Sequence, residues 1–428
     1  MKILIKGASV VDTLVDYPSG NDILIEDGIV KQVGDNIEAN ADKVIDGAGL
    51  TVLPGFIDMH NHLREPGFEY KETIASGTKA AARGGYTTIC CMPNTKPVID
   101  SVDILKSQLE IINRDAVVNV LPIAAVSIGQ QSQCLTEMKA LKELGAIAFS
   151  DDGQPVSNNG IMLDALLSAK KNGALIIDHC EDHSLVKGGV INQGKKAQEL
   201  GLPGISSLSE ELPVVRDIML AAEADYKIHI AHVSTKGTVD IIREAKKRGL
   251  KVTCEVTPHH IALSDDIISE GYTDCKVNPP LRSIEDLLAI KQALKDGTID
   301  AIATDHAPHH ETEKTNDFYK AANGISGIET SFSVCYTELV ESGILSLKEL
   351  AVKMSYNPSQ ILGINKGKLA VGEIADLVIV DLNKTSKIDK NTFISKGKNT
   401  PFHGRSYRGE VVCTIVKGEI IFNKEDIQ

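Results

Sequence analysis

The stretch 54-PGFIDMHNHLR-64 decides the fold: an apolar run closes on His60 and His62, with Arg64 two residues on. In an extended segment, residues two apart share a face, so both imidazoles can reach one cation. Asp58, two residues before the pair, stands where it can orient a ligand from behind. A single His-x-His pair also occurs in exposed loops, so its weight depends on what the rest of the chain does.

The pair belongs to a series. LTVLPGFIDMH, GYTTICCMPN, VNVLPIAAV, GAIAFSDD, GALIIDH, YKIHIAHVS, KVTCEVTPHH and IDAIATDH are eight apolar runs that read as buried parallel strands. Helical patterns fall between most of them, at Glu72–Arg83, Val102–Asn113, Gly160–Lys171, Glu210–Ala224, Thr238–Arg248 and Ile284–Lys295. Eight strand–helix units in succession predict a closed α/β barrel of the (β/α)₈ TIM type over residues 55–366. Both chain ends read differently, as short strands and turns: NDILIEDGIVKQVG carries an Asp27-Gly28 hairpin signal, and GEVVCTIVKGEIIF turns at Lys417-Gly418. Residues 1–54 and 367–428 are therefore expected to meet in one composite β-sandwich. The longest irregular stretches, Lys187–Ser209 and Ala307–Gly327, are candidate active-site loops.

Composition narrows the partners. The formal net charge of −13 over 428 residues argues against nucleic acid or an anionic membrane, whose binding needs an excess of Lys and Arg. No apolar run reaches membrane-spanning length, and MKILIKGASVVD is not an export signal. Eight cysteines without a C-x-x-C pair fit a reducing, cytoplasmic compartment.

Nearly every run ends in a metal-competent or anion-binding side chain: His60-x-His62, Asn94, Asp151-Asp152, His179, His232, His259-His260 and Asp305. In a parallel barrel these ends converge on one mouth, which scattered core histidines would not do. His183 and His229 read as structural, one in a polar loop and one in mid-strand. At Asp151-Asp152-Gly153 either carboxylate can bridge two cations. Asp305 is the other candidate, placed to take a proton from a bound water and return it. The chain has no G-x-S-x-G elbow and no Walker or G-x-G-x-x-G loop, which sets aside serine-nucleophile and nucleotide-driven chemistry.

HNHLREPG, MPNTKP, FSDDG, TPHH, NPPLR, ATDHAPH, NPSQILG and NTPFHGRSYRGEVVCTIVKG, in that order, closely resemble the class I bacterial dihydroorotases of the amidohydrolase superfamily. The resemblance runs over nearly the whole chain. It implies two Zn²⁺ ions, one held by His60, His62 and Asp305, the other by His179 and His232, with Asp152 bridging because the bridging Asp in similar proteins directly precedes the Gly. Hydantoinases and allantoinases often use a carboxylated lysine there. The implied activity is the reversible closure of N-carbamoyl-L-aspartate to L-dihydroorotate in pyrimidine biosynthesis, through a zinc-bridged hydroxide and with Asp305 as proton shuttle.

By the same resemblance Arg64, Asn94 and His309 hold the α-carboxylate, Asn278 contacts the ring, and the backbone near Asn323-Gly324 meets the pyrimidine edge. Two departures fall in that loop: Asn323 stands where relatives carry Phe or Pro, and His310 where a small residue is usual. A homodimer is expected, with association to aspartate transcarbamoylase as a further partner. Two other readings share the scaffold. One is a hydantoinase, dihydropyrimidinase or allantoinase, whose substrates lack the α-carboxylate. The other is a non-catalytic copy serving as a partner of aspartate transcarbamoylase, which would have no need of the complete ligand set.

Overall fold

The computed structural model describes residues 1–18 and 20–427. Eight barrel strands occur in chain order: β1 (Phe56–Asn61), β2 (Tyr86–Cys91), β3 (Asn119–Ala124), β4 (Ala148–Phe149), β5 (Ile177–Asp178), β6 (Ile228–Ile230), β7 (Val252–Val256) and β8 (Ala301–Ile302). They form two parallel four-stranded halves, β1-β2-β3-β4 and β5-β6-β7-β8. Parallel bridges Phe149–Ile176 and Asn61–His306 join the halves on both sides and close the ring. The His62 amide donates to the His306 carbonyl at 3.0 Å across the second seam, so the first strand ends hydrogen-bonded to the last.

Helices follow the strands as the apolar spacing predicts: α1 (Ile74–Arg83), α2 (Val102–Asp115), α3 (Met138–Leu144), α4 (Asn159–Asn172), α5 (Leu208–Glu223), α6 (Lys236–Lys247) and α7 (Ile284–Lys295). Four of the starts are capped by side chains, Thr73, Asn158, Thr235 and Ser283, with capping boxes at Thr73/Ser76 and Ser283/Asp286. After β8 the chain continues as Ser331–Cys335 and, without a break, a wider π-helical turn Tyr336–Glu341. The barrel core is filled by fully buried Ile57, Met59, Cys90, Ile123, Ala148, Ile177, Ala301 and Ala303 from successive strands.

The first apolar run divides in two. Thr51–Pro54 belongs to another sheet, and only Phe56–Asn61 enters the barrel. Gly55 makes the switch because a Cβ there would fall 2.2 Å from the Thr87 side chain. Thr51–Pro54 pairs antiparallel with Leu377–Val380, so the N-terminal and C-terminal strands share a sheet of order 419–423, 406–416, 377–387, 51–54, 2–10, 21–26, 29–34, with 43–46 also paired to 2–10. The long first strand, Lys2–Val10, pairs through one part with 21–26 and 43–46 and through its end with 51–54. Ile3, Ile5, Ile23, Ile25, Val52, Leu377, Ile379 and Ile415 pack into one core between these layers. Asp27-Gly28 and Lys417-Gly418 both take positive φ at their two central residues, the turn that matches strand twist in a two-residue hairpin. The molecule is an α/β TIM barrel carrying a composite β-domain.

Lys187–Ser209 is not irregular. It holds a two-stranded parallel ladder, Ile191–Asn192 with Gly204–Ile205, around a short helix Lys195–Leu200. None of it lines the barrel-mouth cavity. Ala307–Gly327 does reach that cavity.

Candidate active site

The C-terminal ends of the strands meet as expected for a parallel barrel. A cavity of about 170 Å³ opens there, lined by every residue that the resemblance assigns to metal or substrate except His60; Asp151, His259 and His260 do not line it. Asp152 sits at the centre. Its Oδ1 is 3.2 Å from His60 Nε2, 3.4 Å from His179 Nδ1 and 3.7 Å from His232 Nε2, and its Oδ2 is 3.4 Å from His62 Nε2. Asp305 Oδ1 lies 3.1 Å from His62 Nε2 and 3.6 Å from His60 Nε2. His179 Nδ1 and His232 Nε2 face each other at 2.8 Å. Asp151 is turned away: it accepts the amides of Val126 and Ser127 and bonds the Ser127 hydroxyl, fixing the loop after β3.

The donor set fits a cation. His60 Nε2 and Asp152 Oδ1 are both buried and both without a hydrogen-bond partner. Unpaired buried polar atoms are costly, and a shared metal ion would satisfy both. The electrostatics agree. Burial alone lowers the His60 and His179 imidazoles, yet Asp152, with Glu255 at the first and Glu181 at the second, raises His60 well above its usual range and His179 to about 10. Burial alone would raise the carboxylates, and the surrounding imidazoles instead hold Asp152 and Asp305 below theirs. A pocket that draws positive charge this strongly suits a metal ion in place of protons.

Three of the site residues, Arg64 (φ 62°), His232 (φ 30°) and Asp305 (φ 44°), hold left-handed backbone conformations. Such strain is tolerated where surrounding structure over-determines it, and it collects at functional sites. Arg64 is half-buried, its Nε donating to the Pro308 carbonyl at 3.2 Å and its Nη2 lying 3.3 Å from His309 Nε2. His309 Nε2 is 2.8 Å from the Asn323 carbonyl oxygen and its Nδ1 is 3.2 Å from Glu313 Oε2. Asn278 and Gly324 complete the wall, with Gly324 at φ 147° because a Cβ would meet the Ala307 carbonyl at 2.6 Å. His310 is exposed and bonds Thr312, so it leaves the cavity unchanged.

Asn94 has a use that its position in MPNTKP does not reveal. Its Oδ1 accepts from His62 Nδ1 at 3.0 Å, which fixes the face that His62 turns to the centre. Asp58 orients no imidazole. Its carboxylate binds the amide and hydroxyl of Thr304 and the Asn61 amide group, tying β1 to the strand end that carries Asp305. The partner behind His60 is Glu255, fully buried in β7, with Oε1 3.0 Å from His60 Nδ1. Its other oxygen lies 3.2 Å from Nε2 of His229, whose Nδ1 meets Thr253 Oγ1 at 2.8 Å. Glu255 is held down to about 2: burial opposes this, and the two histidines outweigh it. The signal in the sequence was a lone Glu inside the apolar run VTCEV. His260 is structural, held by Thr257 and the Pro279 carbonyl, and His259 does not line the cavity.

Comparison with known proteins agrees with this geometry. Residues 49–238 match the family described as dihydro-orotase-like. A dihydroorotase of Thermoanaerobacter sp. is 49% identical, covering 99% of this chain and 98% of the relative. One of Geobacter metallireducens is 48% identical, over 99% and 100%. Among solved structures, the L-hydantoinase (dihydropyrimidinase) of Arthrobacter aurescens superposes with a TM-score of 0.89 at 27% identity, over 99% of this chain and 96% of that one. The dihydropyrimidinase of Brevibacillus agri gives 0.87 at 26%. The barrel is thus shared with hydantoinases, while close sequence identity lies with dihydroorotases. The chain belongs to the dihydroorotase family of the amidohydrolase superfamily and is a cyclic-amide hydrolase of that kind.

Proposed function

We propose that this dihydroorotase interconverts N-carbamoyl-L-aspartate and L-dihydroorotate at two zinc ions, and that His60, His62 and Asp305 hold one, His179 and His232 the other, with Asp152 between them. The carrying observation is the pair of orphaned buried atoms, His60 Nε2 and Asp152 Oδ1, ringed by further imidazoles. Donor atoms gather into two overlapping groups that share His60, His60/His62/Asp305 and His60/Asp152/His232, each within 4.8 Å, and His179 Nδ1, 3.4 Å from Asp152 Oδ1, adds the further donor that supports a second ion. Imidazole and carboxylate donors without thiolate suit zinc. When bound, such ions supply a water acidic enough to act at neutral pH and a Lewis acid for the ring amide carbonyl.

The chain's own residues do the rest. The Arg64 guanidinium and His309 grip the α-carboxylate, Arg64 through a planar fork that matches it. Asn94 takes part from the other side while it fixes His62, Asn278 faces the ring, and the backbone at Asn323-Gly324 meets its edge. In hydrolysis Asp305 takes the nucleophile's proton and delivers it to the leaving ring nitrogen; in closure it accepts the proton from the ureido nitrogen. Residues 55–366 serve as the catalytic barrel, and residues 1–54 with 367–428 as the composite β unit, a division supported by the pairing of Thr51–Pro54 with Leu377–Val380.

A homodimer belongs to the same reading. Leu208, Leu212, Val215 and Met219 form an exposed apolar ridge along α5, which supports self-association, and light scattering of the pure protein checks it. Association with aspartate transcarbamoylase is tested by co-purification. A cytoplasmic location is supported by free cysteines, all buried but Cys134, and no helix of the described residues is long and apolar enough to cross a membrane.

The deciding experiment reconstitutes metal-free protein with zinc while the interconversion is assayed. Activity should climb to about two equivalents per chain. A maximum at one equivalent would overturn the binuclear reading, and hydantoin turnover in place of dihydroorotate would overturn the substrate.

A further inference from the structure

The motif NTPF at 399–402 has no part in the chemistry above, yet the fold brings it to the barrel mouth. Between the strands Leu377–Lys387 and Ser406–Val416 the chain leaves the composite sheet in an excursion pinched at its base, where Ile388 N donates to Arg405 O and Gly404 N to Ile388 O at 2.9 and 2.8 Å. Gly397 lets it lie flat on the active-site loop, since a Cβ there would fall 2.7 Å from Ser326 Oγ. Phe402 anchors it in an apolar cluster with Val277, Phe318 and Ile325.

Asn399, 3% exposed, then spends every hydrogen-bonding group of its side chain on that loop. Nδ2 donates to the carbonyls of Ala307 (3.1 Å) and Gly324 (2.9 Å); Oδ1 accepts from the His309 amide (3.0 Å) and the Ser326 hydroxyl (2.9 Å). Its own carbonyl accepts from Ser326 N at 2.7 Å. Only a short primary amide offers two donors and two acceptors at this reach. The loop needs such a tether because it has no ladder of its own, its regular structure being the single turn Glu311–Glu313 and one bridge from Ile325 to His306. Lys314 helps from the other side, its Nζ donating to the carbonyls of Lys276, Ala322 and Gly324.

We propose that Asn399 is a positioning residue for substrate binding: from outside the cavity it sets the spacing of His309 and Gly324, and so the grip on the substrate carboxylate. This rests on the reading of His309 as a carboxylate contact. Misplacing such a group by a fraction of an ångström weakens binding without touching the metal ligands or Asp305.

The test compares Asn399→Ala, Asn399→Asp and the milder Ser326→Ala, which deletes one bond to the amide, with His309→Ala as reference. For Asn399→Ala, KM for dihydroorotate should rise about tenfold or more, with kcat within about threefold and bound zinc unchanged. Asn399→Asp sets a carboxylate against two carbonyl oxygens and should do worse, while Ser326→Ala should raise KM by about twofold to fivefold. A merely structural role would lower Tm, zinc content and kcat together at constant KM, and that pattern overturns the proposal. If His309→Ala raises KM and neither the Asn399 nor the Ser326 variants do, the proposal fails and the carboxylate reading stands. If His309→Ala leaves KM unchanged, the carboxylate reading fails and this role for Asn399 falls with it.

Discussion

The Glu255 carboxylate lies 3.0 Å from Nδ1 of His60, so the imidazole is locked with Nε2 facing the centre of the barrel mouth. A metal-binding histidine whose other nitrogen is held by a carboxylate keeps one tautomer and gains basicity. Glu255→Gln should therefore lower zinc affinity by about 10–100-fold while the chain stays folded. Competition with a chromophoric chelator measures this, and unchanged affinity would show that His60 needs no such partner.

Asp305 is bonded to His62 on one side and borders the cavity on the other. If it moves the proton, Asp305→Asn should lower kcat by about 10²–10⁴-fold in both directions of the reaction. Zinc must be quantified on the same sample, because Asp305 is also a proposed ligand. A variant that keeps its zinc and near-normal turnover would remove Asp305 from the chemistry.

Arg64 is half-buried, and its fork is already aimed by Pro308. Lysine keeps the charge and loses the planar two-point contact. Arg64→Lys is expected to raise KM for dihydroorotate and carbamoyl-aspartate by about tenfold or more, and Arg64→Met by more still. Equal KM values for wild type and Arg64→Met would mean that the carboxylate is held elsewhere.

Lys314 makes a prediction about pH. Burial pushes its ammonium down to about 8 from the ordinary 10.5. Between those values the unfolded chain carries a proton at this position that the folded chain has lost. The unfolded state then binds more protons, so the contribution of Lys314 to stability rises with pH across the window. Urea unfolding of wild type and Lys314→Met at about pH 7.5 and about pH 10 should show the difference moving in favour of wild type. A flat or falling difference would contradict it.

The barrel was legible because nearly every buried strand ended in a polar residue that strand periodicity cannot explain, and those residues cluster in space: His60, His62, Asp152, His179, His232 and Asp305 come from five strand ends. What stayed hidden acts at right angles to the sequence. Glu255 sits inside an apolar run and matters only because β7 places it behind His60; its partner His229 looked inert for the same reason. Gly55 divides one apolar run between two sheets, a switch visible only as a clash with Thr87. Lys187–Ser209 lacked periodicity because its strands are two residues long. Asn399 meets its loop partners at sequence separations of 73 to 92, a distance no local pattern spans.

The seam between β1 and the end of β8 has a consequence for biogenesis. His60 and His62 leave the ribosome early, while Asp305 and the Asn61–His306 bridge arrive some 245 residues later. The proposed ligand set of His60, His62 and Asp305 is complete only once residue 305 has been made. Once seated, an ion held by these three would rivet the first barrel strand to the last. On the proposed ligand set, a seated ion would therefore report closure of the barrel, with the last strands of the composite sheet still to follow.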